Sequence, residues 1–288
     1  TSDCCRSLTF NNTGLVDVDT GTLSFIANPG TSTHTGTFDI ASGAVLSFST
    51  AQTFNGATFQ GGGAVNLVGG GHTLAGTVSF VGTPLTLSNA SVGGAGNLAL
   101  DAASVLNLST GGTINNSGSV TTSGAFNWLG AGGSTISGAG ALNVNGGMAI
   151  TQAGAKTLNT RTLSVNADST WDGLGQISLE SGGTLASAAT KGFDGQGNGT
   201  ISAVNSGGGG TIDNAGTFRK STAGGTATLT SDCCRTLTFN NTGLVEVQIG
   251  TLTANSNVAF NNTGAVNLSS GTTLNLSSAS GGAGGGDY

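Results

Sequence analysis

Residues 239–268 read FNNTGLVEVQIGTLTANSNVAFNNTGAVNL. The phrase Phe-Asn-Asn-Thr-Gly opens at Phe239 and returns at Phe260. Each closing glycine, Gly243 and Gly264, leads into alternation: Val245-Glu-Val247 and Val266-Asn-Leu268. Apolar residues two apart turn one face of a strand inward. Asn and Gly tolerate the left-handed backbone region that sharp corners demand. Asn-Gly between equal strands, the usual hairpin signal, is scarce. The segment therefore predicts short strands joined by corners in a repeating coil.

Outward from there, the same pattern (large apolar, any, Asn or Gly, any, Gly) opens at Phe10, Phe59, Val92, Ile114, Ile136, Trp171, Phe193 and Ile212. The starts at Val92, Ile114 and Ile136 are evenly spaced, and Trp171 to Phe193 repeats the same interval. Alternating pairs such as Leu142-Asn-Val144, Ile177-Ser-Leu179 and Leu274-Asn-Leu276 lie between them. A unit of this length cannot bury its apolar face alone, but stacked units share one core. The fold expected is all-β: a parallel β-helix (β-solenoid) of about 22 residues per coil, with right-handed connections. Strand spacing gives about 13 coils and a rod of about 60 Å. One solenoid is expected over 1–280, with 281–288 a glycine-rich tail or junction.

A longer repeat overlies this one. Residues 1–25 and 230–254 agree at 19 of 25 positions. Residues 1–229 read as one long period and 230–280 as the start of a second copy.

Composition narrows the function classes. Of 288 residues, 53 are glycine and only 20 are charged, 7 basic and 13 acidic, for a net charge of −6. With no basic stripe, nucleic acid is not an expected partner. No apolar run reaches the ~20 residues of a membrane-spanning helix. In a parallel stack like sits above like, so a column of equal charges repels. Stacked Asn and Thr instead exchange hydrogen bonds. On this reading Asn11, Asn115, Asn240 and Asn261 share one corner position, and Asn12, Asn116, Asn241 and Asn262 the next. Both rows read as structural ladders rather than glycan acceptors.

The Phe-Asn-Asn-Thr-Gly and Gly-Thr-Leu-x-Leu phrases resemble the repetitive β-helical stalks of large secreted bacterial proteins, namely autotransporter passengers and filamentous haemagglutinin-like adhesins. The resemblance covers nearly the whole chain. It implies export, a cell-surface location, and a fibrous role in adhesion or scaffolding, with no catalytic residues and no cofactor. Low charge and little Lys fit an extracellular place as well. Expected partners are further copies of the chain, with a glycan or host-surface receptor as another.

Several residues stand out against the repeat. Cys4-Cys5 and Cys233-Cys234 both lie in Ser-Asp-Cys-Cys-Arg. Zinc spacing is absent, so each pair either closes locally as a vicinal disulfide or bonds another chain. A carbohydrate-binding or polysaccharide-cleaving β-helix is the alternative function. Asp17 with Asp19, and Asp168 with Asp172 beside Trp171, are its candidate acids, although Trp171 is expected to point inward. Trp128 and Trp171 exposed together with Asp168 would favour it. His34 and His72 are expected at the surface, and Arg219-Lys220 at a solvated edge. An ice-binding array needs Thr aligned over successive coils, and no such alignment is evident in the sequence.

Overall fold

The computed structural model describes residues 9–26, 32–204, 207–277 and 279. These residues form a parallel β-solenoid with about 22 residues per turn. Thirty-six strands, β1 to β36 in chain order, make three parallel sheets of twelve strands. The first turn is β1 (Leu15–Val18), β2 (Thr22–Phe25) and β3 (Thr33–His34). The last is β34 (Val258–Asn262), β35 (Ala265–Leu268) and β36 (Thr273–Asn275). Every third strand falls on the same face, so face I begins with β1, face II with β2 and face III with β3. The described residues thus hold twelve turns where the sequence suggested about thirteen. The turns are unequal. The register pairs Ser79 with Ala99 across a short turn, but Asp213 with Asn240 across a long one.

Alternation sets the core. Inward residues repeat above one another, as Leu46, Val65, Leu85, Leu106 and Phe126 do on face II. All five are fully or almost fully buried. Near the start of the chain the column is aromatic: Phe38 stacks on Phe59 at 5.1 Å and Phe59 on Phe80 at 4.6 Å. Identical side chains one strand spacing apart meet face to face, which is how a parallel stack arranges rings.

The corner asparagines fall on two edges of the rod rather than one, and a ladder forms on one of them. Asn12 and Asn116 lie where face III passes to face I, just before β1 and before Val120–Thr122. Asn241 and Asn262 end strands of face I and lead to face II. Asn214, the third residue of the motif that opens at Ile212, is the rung below Asn241. Asn214 Nδ2 donates to Asn241 Oδ1 and Asn241 Nδ2 to Asn262 Oδ1, both at 2.7 Å. An outer row runs beside it, from Asn261 to Asn240 and from Asn240 to Asp213, at 2.8 Å each. Asn11 accepts from Thr33 N at 2.8 Å, and Asn115 is exposed. Removing a buried rung strands the partners on either side of it. Asn241→Ala is therefore expected to cost about 2 kcal/mol, read as a lower urea midpoint with the slope unchanged.

The long repeat explains the two edges. Leu15–Val18 lies on face I, but its counterpart one long period on, Leu244–Val247 (β32), lies on face II. Likewise Thr22–Phe25 is on face II and Thr251–Ala254 (β33) on face III. One long period is ten turns plus one strand. The same peptide builds the same corner on a different edge of the rod.

Candidate functional site

Three adjacent strands of face II, Ser169–Trp171, Gly192–Gly195 and Thr217–Lys220, together with the corners before them, enclose a cleft of about 320 Å³. Alternation points Thr170, Asp194 and Arg219 outward, one above the other, with Glu246 next in the column. Asp168 and Thr190 line the rim from the corners. Asp168 Oδ1 accepts from Gly192 N at 2.7 Å. Arg219 Nε donates to Glu246 Oε2 at 2.7 Å. That bond, with the charges of Glu246, Asp194 and Asp168, raises the Arg219 pKa, and its counterpart lowers that of Glu246. Signs alternate along the column, so like charges do not stack. Asp194 Oδ1 is buried without a hydrogen-bond partner. Carboxylates, a guanidinium and hydroxyls at one cleft are groups that can bind a polyol or another small hydrogen-bonding ligand.

Asp168 is legible in the sequence as a candidate, but Asp194, Arg219 and Glu246 are not. Each lies a full turn from the next in sequence, and they meet only through the register. Asp172 holds a corner instead, accepting from Gln152 N and Leu174 N at 2.9 Å each. Asp17 is exposed beside Asp39 on face I, an adjacent like-charged pair. Trp171 and Trp128 are 3% and 0% exposed, so neither joins Asp168 as an aromatic platform.

Two expectations fail because strand parity overrides polarity. His34 and His72 are buried, not surface residues. Each shares the inward side of its strand with Phe or Leu neighbours in the stack and packs against rings. His34 lies 5.5 Å from Phe54 and His72 5.8 Å from the same ring. Nε2 of His34 donates to Gln52 Oε1 at 3.0 Å, while Nδ1 accepts from Asn12 N. Nε2 of His72 donates to Gly69 O at 2.9 Å. Burial lowers the pKa of both, that of His72 to about 4.

Lys220 is likewise buried, not at a solvated edge, and its ammonium donates to Ala223 O. Two further buried cations carry no motif that marks them in the sequence. Lys156 Nζ donates to the carbonyls of Gly154, Gln152 and Gly130 at 2.8 to 3.3 Å. Arg161 reaches along a corner to Gly140 O, Gly118 O and Asn116 O. Burial lowers the Arg161 pKa to about 10.

Hydroxyls do align on face III. Ser91, Thr113, Thr135, Thr157, Ser178, Ser202 and Thr230 form one outward column over successive turns. Thr113, Thr135 and Thr157 in this column correct the expectation that Thr does not align over successive coils. The neighbouring outward column holds Asn159 beside Glu180, so a double Thr-x-Thr array does not form there.

Cys233 and Cys234 are exposed at a corner between Thr226–Ser231 (β30) on face III and Leu237–Asn241 (β31) on face I, with Sγ atoms 3.2 Å apart. Cys4 and Cys5 lie outside the described residues. Among the described residues no group of three or more His, Cys, Asp or Glu could hold a metal ion. No helix of the described residues is long and apolar enough to cross a membrane. No family model matches the chain, and neither any curated protein nor any solved structure matches it.

Proposed function

We propose that the chain is a non-catalytic structural element of a secreted bacterial fibre, adhesin or sheath, built by stacking coil on coil. The observation carrying this reading is the buried asparagine ladder at the corner from face I to face II. Its two ends are unsatisfied: Asn214 Oδ1 lacks a donor and Asn262 Nδ2 lacks an acceptor. One more asparagine-bearing coil beyond Asn262 would supply that acceptor. An apolar residue of the last turn points the same way. Leu268 is 46% exposed, whereas Val247, directly below it in the same inward column, is 0% exposed. What fits both is another coil of the same kind, from the same chain continued or from a second copy.

The one-face shift of the long repeat specifies the fit. A second copy turned by one face sets its Asn12 corner, the sequence twin of the Asn241 corner, above Asn262. Gly14 of that copy then sits above Gly264, as Gly243 sits above Gly216. Lateral association between polar faces is compatible with the same stacking.

Negative-stain microscopy of the full chain tests this. Filaments with an axial step of about 60 Å per copy are expected. Gly14→Ala should abolish them without changing the melting curve, because a methyl there has open space in the single chain. A monodisperse monomer at every concentration, with no filaments, would overturn the reading.

The cleft at Asp168, Asp194 and Arg219 favours a second reading, a carbohydrate-binding surface on the same rod. Glycan-array binding that is lost in Asp194→Asn would support it.

A further inference from the structure

We infer that Cys233 and Cys234 are a redox-closing pair, which reacts within its own corner rather than with another chain. The corner is built to hold them together. Ser231 Oγ lies within hydrogen-bond reach of both Arg235 O (3.1 Å) and Asn257 O (3.2 Å), to which it donates. Asn257 Nδ2 donates to Asp232 O at 3.3 Å, tying the corner to the next turn. Cys234 N donates to Asp232 Oδ1 at 3.3 Å, and Arg235 Nη1 to Cys234 O at 3.1 Å. Within this bracing the two sulfurs lie 3.2 Å apart and both side chains face solvent. Forming the bond needs the sulfurs to approach by about 1 Å.

Proximity decides the partner. A thiol on the same corner competes at a far higher effective concentration than a thiol on a second molecule in dilute solution. Closure with a small disulfide such as oxidised glutathione takes two exchanges. One thiolate attacks the small disulfide, forming a mixed disulfide and releasing one glutathione thiolate. The neighbouring thiolate then attacks the protein sulfur of that mixed disulfide. The ring bond forms, a second glutathione thiolate leaves, and two protons have passed to solvent. The corner is oxidised by two electrons and the small disulfide is reduced by two. Ring bonds between adjacent residues are strained, and strained, exposed disulfides belong to the reducible class. The pair is therefore a reversible site.

Reduced, it offers two sulfurs to one thiophilic centre. A trivalent organoarsenical oxide condenses with both thiols, forming two As–S bonds and releasing one water. The hydrogen bond to Cys234, with the charge of Asp232 nearby, holds the Cys233 thiol above its ordinary pKa. Exchange therefore quickens as pH rises, since the thiolate is the nucleophile.

The test uses the full chain carrying Cys4→Ser and Cys5→Ser, so that only the corner pair remains. Treatment with oxidised glutathione should remove both titratable thiols and lower the intact mass by two hydrogens. The chain should stay monomeric on non-reducing gels. Phenylarsine oxide should add once to the reduced chain and not to the oxidised one. In the same background, Cys233→Ser should retain one glutathione or dimerise. Disulfide-linked dimers of the chain that keeps the pair, or two glutathiones retained per chain, would overturn the proposal. Neither outcome bears on filament formation, which has its own test.

Discussion

Gly243→Ala is expected to destabilise the chain by on the order of 3 kcal/mol, whereas Gly14→Ala leaves the isolated chain unchanged. The two glycines close the same Phe-Asn-Asn-Thr-Gly phrase. They differ in what lies beneath. A Cβ at Gly243 would overlap the carbonyl oxygen of Gly216 in the turn below, and a Cβ at Gly264 would overlap that of Gly243. At Gly14 nothing lies within 4 Å. Neither Gly243 nor Gly14 has positive φ, so the cost does not come from left-handed backbone. It comes from forcing two stacked turns apart, an overpacking that usually costs 1 to about 3 kcal/mol and more when backbone must move. Urea denaturation of the two variants side by side measures it. Equal midpoints would show that the corner does not depend on close backbone approach.

The second large effect is loss of stability in mild acid. His72 has an unfolded pKa near 6.5 and a folded value of about 4. Between these values the unfolded chain binds the extra proton, so stability rises with pH. The contribution is fully present above pH 6.5 and is lost as pH falls towards 4. A shift of that size corresponds to about 3 kcal/mol. His34 acts in the same direction. The structural cause is plain at His72, where Nδ1 is buried with no hydrogen-bond partner. A proton added there would put a charge among Phe48 and Phe54. Melting temperatures from pH 7.5 to 4 should fall more steeply for the native chain than for His72→Leu. Parallel curves would show that His72 takes no part.

Much of the fold is legible in the sequence because its signals are local. A phrase such as Ile114-Asn-Asn-Ser-Gly118 states a strand end and a corner within five residues, and Leu142-Asn-Val144 states which side is inward. Expectation and structure part where two local signals conflict. Lys156-Thr-Leu158 and Phe218-Arg-Lys220 have the same alternation as the apolar pairs, which places both lysines inside. Their charge argues for solvent, but backbone carbonyls at the corners take the place of water. His72-Thr-Leu74 misleads in the same way. The cleft is not legible at all, because Asp168, Asp194 and Arg219 meet only after the unequal turns between them are counted. That count depends on corner lengths, which a loose five-residue phrase does not determine. The expectation that the asparagines of each row share one edge fails for a related reason. Equal phrases suggest equal edges, but the long repeat is not a whole number of turns.

That remainder of one strand has a mechanical consequence. A rod whose every period began on the same edge would collect its peculiar residues along one side and could bend or bind preferentially there. Here the second copy of the phrase stands one edge on from the first, and three such periods would bring it round to the starting direction. A column stacked in that way would have no front and no back. Its stiffness would be evened out around the axis, and anything carried once per period would face outward in three directions in turn.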